Sequence, residues 1–298
     1  MSPDPSESQR LHDLVDAFAH TAQAVVDLAR ACSEDDLRQP TDCPGWTVHD
    51  QISHIVGVEA WLGGHKDPRV EMPDYNHIRN DLGKRVEHAV EVRRGRTGAE
   101  VLAELESVLA ERLSTLRSPM LTDTTVIAGP FGPDEAATVV LTRAFDVWAH
   151  EQDIRTALNH PGNLDSPAAR LFVNAVLLQL PRLVAKDAGL EPGRAVIIDV
   201  TGPVAATQGV VVEVDGQGRP RGHALVADDT SQPSSRVPGE AAAQLSEGQG
   251  DGPTTISLST EALTRRAAGR RSAGDTEYSV VGDEAEARRV MEALVVTH

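Results

Sequence analysis

The chain has 298 residues, a formal net charge of −17, and 40% apolar against only 3% aromatic residues. Its length points to two domains, since single cores stop growing near about 250–300 residues. The charge excludes a long phosphate-tracking surface, because nucleic-acid affinity depends on Lys and Arg displacing counterions.

From about Glu7 to Ala31 the apolar residues Leu11, Leu14, Val15, Phe18, Ala22 and Val25 recur at spacings of three and four, which predicts an amphipathic helix. The polar segment SEDDLRQPTDCPGW follows. Thr47 then offers an N-cap for a second helix that runs to Leu62, where Gly63 and Gly64 stop it. A third helical pattern starts at about Tyr75, breaks at RRGRTG and resumes from Ala99 to Leu116, so a long interrupted helix is expected. Beyond a GPFGP loop, a fourth helix is expected from Asp134 to Leu158, ended by Pro161 and Gly162. Four such helices fit an antiparallel bundle over residues 1–162.

Residues 163–298 read as a smaller mixed α/β domain. One more helix, in PAARLFVNAVLLQLPRLVAKDAGL, leads into the β-rich runs AVIIDV, GVVVEV and GHALVA. Residues 228–252 are rich in Ser, Gln, Gly, Glu and Pro and read as a mobile loop, with a helical turn at 239–245 as an option. A strand near TTISLS, a helix near TEALTRRAAG, a strand near EYSVVG and a helix from Glu284 to Leu294 complete the expected order.

Asp146 and His150 lie four residues apart, which on a helix puts both side chains within reach of one ion. Winding the segment at 3.6 residues per turn places Arg143, Asp146, Val147, His150 and Ile154 on one stripe facing the bundle interior. A buried, unpartnered carboxylate and imidazole are costly, and a divalent cation satisfies both. His54, beside the apolar Val48, Ile52 and Ile55 of the second helix, points to the same interior. Three protein ligands would leave a fourth position open, as in catalytic zinc sites. The plainer alternative is a hydrogen-bonded Asp/His pair. His49, His65, His77, His88 and His160 read as surface residues, and Cys43 as a small buried hydrophobe or a thiol near the site. With Cys32 it fits no disulfide framework, and MSPDPSESQR has no apolar signal core, so a reducing, cytoplasmic setting without a membrane span is expected.

Two stretches carry a resemblance. CPGWTVHDQISHI resembles the first metal motif of the mycothiol-dependent maleylpyruvate isomerase family, whose first histidine ligand falls on His54. RAFDVWAHEQDIRTAL resembles its second, with Arg143, the acidic ligand on Asp146, the histidine ligand on His150, and Asp153. AAGRR followed by EYSVVGDEAEARRVMEAL is similar to the family's C-terminal domain, and its Gly-Arg motif falls on Gly269 and Arg270, with Arg265, Arg266 and Arg271 adjacent. The resemblance implies a DinB-like four-helix bundle followed by a sterol-carrier-like α/β domain, with zinc or another divalent metal and mycothiol as thiol cosubstrate. It also implies a small electrophilic substrate, with Arg270 assisting catalysis. The isomerase has glutamate where this chain has the shorter Asp146.

The reaction expected from that resemblance is isomerisation or S-transfer by an activated thiol, with Arg270 or Arg143 steadying a substrate carboxylate or enolate. Two other classes compete with it. One is a non-catalytic, metal-stabilised protein that binds an apolar ligand or a protein partner. The other is a metal-dependent hydrolase, for which Glu59 and Glu151 are the available general bases. Neither nucleic acid nor membrane is expected as a partner, and the sequence leaves the oligomeric state open.

Overall fold

Helix α1 (Pro5–Ala31) begins the N-terminal part, followed by the single turn α2 (Glu34–Leu37), α3 (Val48–Leu62), α4 (Asp81–Arg94) and α5 (Gly98–Leu116). The computed structural model describes residues 5–225 and 252–296. The chain divides into two units, Met1–Leu171 and Phe172–His298. In the first unit the strands β1 (Val126–Ile127) and β2 (Asp134–Glu135) pair antiparallel and lead into α6 (Ala136–Ala157). Helices α1, α3, α5 and α6 pack around one apolar core that includes Phe18, Val25, Ile55, Leu105, Val140 and Val147. Helix α4 packs on α3 from outside that core.

The start of each helix is written in its cap. Thr47 accepts from the Asp50 amide while the Asp50 carboxylate accepts from the Thr47 amide, a reciprocal cap that fixes where α3 begins. Thr97 and Glu100 do the same for α5. The expected long third helix is therefore two separate helices, α4 and α5, divided by Gly95–Thr97. The expected start at Tyr75 also moves, to Asp81. Asn80 caps α4 by accepting from the Gly83 amide, and the side chains of Tyr75 and His77 are used elsewhere, on Glu91 and Glu87. The two-residue β1/β2 pairing was not foreseen.

Helix α3 approaches α4 closely at Gly57, where a Cβ would lie 2.4 Å from the Ala89 Cβ. Gly57→Ala should therefore strain the crossing by about 1–3 kcal/mol. That exceeds the roughly 1 kcal/mol by which alanine improves on glycine within a helix. A lower urea midpoint with an unchanged slope is the expected result; an unchanged or higher midpoint would contradict this close approach.

The second unit takes most of α7 (Pro167–Arg182), which runs on into a π-helical turn, Leu183–Asp187. Pro181 falls within the last turn of α7, where its missing N–H removes one backbone bond. A five-stranded mixed sheet follows, in the order β5 (Pro220–Leu225), β4 (Ala205–Val214), β3 (Ala195–Thr201), β6 (Thr254–Leu258) and β7 (Ser279–Val281). Among the described strands only β3 and β6 run parallel, with Ile198 opposite Ile256. Val196, Ile198 and Val200 alternate along β3 and are all buried, as a covered sheet face requires. Helix α8 (Thr260–Ala267) packs on β3, and α9 (Glu284–Ala293) on β6 and the π-helical turn. The fold is thus a helical bundle followed by a mixed α/β unit. The segment read as a mobile loop, with its optional helical turn, lies outside the described residues except for Gly252.

Candidate metal centre

The loop before α3 builds one wall of the site. Cys43-Pro44-Gly45-Trp46 turns tightly, with the Trp46 amide donating to the Cys43 carbonyl. Gly45 adopts φ +81, and a side chain there would also meet the His77 ring at 2.7 Å. The turn delivers the Trp46 indole against the imidazoles of His54 (5.1 Å between ring centroids) and His150 (6.0 Å). Its Nε1–H donates to the buried Glu87 of α4, which also pairs with Arg94 and accepts from His77. His77, expected at the surface, thus helps to fix Glu87.

His54 from α3 and Asp146 and His150 from α6 come together in the first unit. One ligand atom from each lies within 4.8 Å of the others. His54 Nε2 is 3.6 Å from Asp146 Oδ2, and His150 Nε2 is 3.8 Å from Asp146 Oδ1. The two imidazole centroids are 4.4 Å apart. Both histidines are buried, while the Asp146 side chain is 33% exposed, so the cluster opens toward solvent on its carboxylate side.

Hydrogen bonding fixes the ring of His150. The Thr41 hydroxyl donates to the Trp46 carbonyl, so it accepts from Gln51 Nε2 at 2.8 Å. That turns Gln51 Oε1 toward His150 Nδ1, 2.5 Å away, and Asp153 Oδ2 lies 3.5 Å from the same nitrogen. With acceptors on that side the Nδ1 carries the proton, and Nε2 is the nitrogen turned to the Asp146 side. His54 differs. Both of its ring nitrogens are buried without a hydrogen-bond partner among the described residues.

Buried charges support the carboxylate. Arg143 Nη1 donates to Asp146 Oδ2 at 2.7 Å, and Arg143 Nε to Glu59 Oε1 at 2.6 Å. Glu59 Oε2 accepts from Arg112 Nε at 3.2 Å. Burial raises the Asp146 pKa, but the Arg143 guanidinium, helped by the two imidazoles, outweighs it and holds the carboxyl well below its usual range. Burial, reinforced by the neighbouring His150, pushes His54 down to about 4. His150 is held up at about 9, because Asp146, with Asp153 and Cys43, overcomes the burial penalty. A neutral His54 is the ligand-competent form, and a cation binding here must displace the proton from His150.

The donor set suits a divalent ion of zinc type: two imidazoles and one carboxylate, an orphaned imidazole, and one open side. Of the sequence-expected residues, the structure brings His54, Asp146, His150 and Arg143 into one cluster. Arg270 belongs to the second unit. It follows α8, is half-buried and donates through Nη1 to the Ala268 carbonyl. Its neighbour Arg266 is committed to the Met291 and Glu292 carbonyls, and Arg271 pairs with Glu261. Sequence reasoning missed Gln51, Glu87 and the orienting role of Trp46. Gln51 had a signal, standing one turn before His54 on the same face; Glu87 had none.

These features define a class: a helical bundle with a three-residue, solvent-open candidate cation centre, joined to an α/β unit. Residues 18–155 match the family model of the mycothiol maleylpyruvate isomerase N-terminal domain. Two solved structures resemble nearly the whole chain. One is a mycothiol-dependent maleylpyruvate isomerase, 12% identical with a TM-score of 0.51, and the alignment covers 90% of this chain and 92% of that one. The other is a histidine-to-alanine mutant of such an isomerase, 12% identical with a TM-score of 0.50 and the same coverage. At this identity the likeness is one of fold. No curated protein matches the chain.

Proposed function

We propose that the protein is a zinc- and mycothiol-dependent enzyme that uses an activated thiol to isomerise, or transfer sulfur to, a small electrophilic substrate. The observation that carries this reading is His54: a buried imidazole that makes no hydrogen bond among the described residues and stands 3.6 Å from the Asp146 carboxylate and beside a second imidazole. An unsatisfied buried polar group costs about 1–3 kcal/mol, and a cation shared with Asp146 and His150 removes that cost.

A divalent cation held by these residues supplies Lewis acidity, which lowers the pKa of a thiol at the open position so that it reacts as the thiolate at neutral pH. The protein's own part is orientation. Gln51 and Asp153 hold His150 Nδ1–H and so aim Nε2, Arg143 holds Asp146, and Trp46 shields the imidazoles on one side. Arg143 or Arg270 is the residue proposed to steady a substrate carboxylate or enolate; for Arg270 the support is its sequence motif alone. Addition of the thiol to an activated carbon, bond rotation and loss of the thiol would interconvert cis and trans isomers. Release of the adduct would be S-transfer.

The hydrolase reading loses its two candidate bases. Glu59 is clamped between Arg112 and Arg143, and Glu151 is taken by Thr21, Arg155 and Asn163. The cobalt-substituted protein tests the thiol reading. Added mycothiol should produce a new sulfur-to-cobalt charge-transfer absorption that saturates at about one thiol per centre. No change with mycothiol or any other low-molecular-weight thiol would overturn it and favour a non-catalytic binding protein.

A further inference from the structure

We infer that His150 is shared by two cation positions, and that the second, formed by Cys43 Sγ, His150 Nδ1 and Asp153 Oδ2, takes a thiophilic divalent ion such as zinc or cadmium. One ligand atom from each of the three residues lies within 4.8 Å of the others. His150 Nδ1 stands 3.5 Å and Cys43 Sγ 3.7 Å from the same oxygen, Asp153 Oδ2. Zinc bond lengths in a tetrahedron separate nitrogen from oxygen by about 3.4 Å and sulfur from oxygen by about 3.6 Å. Two of the three donor separations therefore already stand close to tetrahedral values.

The donors are also held in place. The Cys43 amide donates to the Thr41 hydroxyl, which accepts from Gln51 as well, and the Trp46 amide closes the turn on the Cys43 carbonyl. Asp153 is fully buried and His150 nearly so, while Cys43 is half-buried and leaves a way in. A sulfur donor beside an imidazole and one carboxylate selects zinc or cadmium over magnesium or calcium, which take oxygen ligands.

The second position has a built-in competitor. His150 Nδ1 now binds Gln51 Oε1, so an ion entering there must displace that contact and the Nδ1 proton. Two ions at once would require the ring to give up both nitrogens. Filling the first position therefore weakens the second.

This inference shares His150 with the proposed catalytic centre but needs neither thiol dependence nor activity. Its test is titration of the metal-free protein with cadmium in thiol-free buffer, followed by sulfur-to-cadmium charge-transfer absorption. The band should saturate at about one sulfur-bound ion per chain in the parent, and persist in Cys32→Ser and His54→Ala. It should vanish in Cys43→Ser with the fold intact by circular dichroism. One equivalent of zinc added first should delay the band until cadmium is in excess. No band in the parent, or a band lost with Cys32→Ser and kept in Cys43→Ser, overturns the second position. Loss of only the thiol response described above would leave it standing.

Discussion

Replacing His150 by alanine is expected to remove most of the bound metal, with elemental analysis falling from about one zinc per chain in the parent to a small fraction. Loss of a residue that merely orients a ligand typically costs about 10–100-fold in metal affinity. His150 is a proposed ligand whose ring is fixed from behind by Gln51, so its loss should exceed 100-fold, read by competition with a chelator. His54→Ala should weaken binding at the centre shared with Asp146 while leaving the Cys43, His150 and Asp153 donors in place. The His54 imidazole makes no hydrogen bond among the described residues and only a 3.6 Å approach to Asp146, so the metal-free variant should be about as stable as the metal-free parent. Thiol-dependent turnover should fall with the metal in both variants. Unchanged metal content in both would refute the proposed centre.

Glu59→Ala is expected to be among the most destabilising single changes in the bundle. Glu59 is fully buried and is the carboxylate between two buried guanidiniums. Arg143 keeps Asp146, but no other partner for the Arg112 guanidinium is described, and each already has a buried Nη2 without an acceptor. Removing one member of a buried ion network leaves uncompensated charge and costs about 3–5 kcal/mol. Urea unfolding should show that loss as a lower midpoint. Glu59→Gln should fall between, since it keeps the shape and one acceptor oxygen but not the charge. A loss under about 1 kcal/mol for the alanine variant would show that water reaches the two arginines. Because Arg143 spans Glu59 and Asp146, the alanine variant should also bind metal more weakly than its stability alone predicts.

The parts of the fold that were legible in the sequence are those set by local chemistry. The three-and-four spacing from Leu11 to Val25, Thr47 before α3 and Gly63 after it all act within a turn or two of themselves. Asp146 and His150 were legible for the same reason, since a four-residue step dictates a shared helix face. What escaped depends on contacts distant in sequence. Tyr75 and His77 carry a helix-like pattern, yet their side chains serve α4 from outside it, and Asn80 sets the real start. Strands of two residues, as in β1 and β2, are too short for alternation to register. Glu87 looks like any exposed helical glutamate until Trp46 is found bonded to it. Glu59 was noticed as an acid, but its role follows from Arg112 and Arg143, which reach it from two other helices.

His54 and the Asp146/His150 pair sit on α3 and α6, with α4, α5 and the β1/β2 pair in the chain between them. Joining them closes a long stretch of chain, and such closures are made late, after nearby helices have formed. An ion gripped here acts as a clasp on the finished bundle: it cannot help the early helices assemble, but it can hold the last seam shut. Without it, the line where α3 meets α6 should be the place that breathes first.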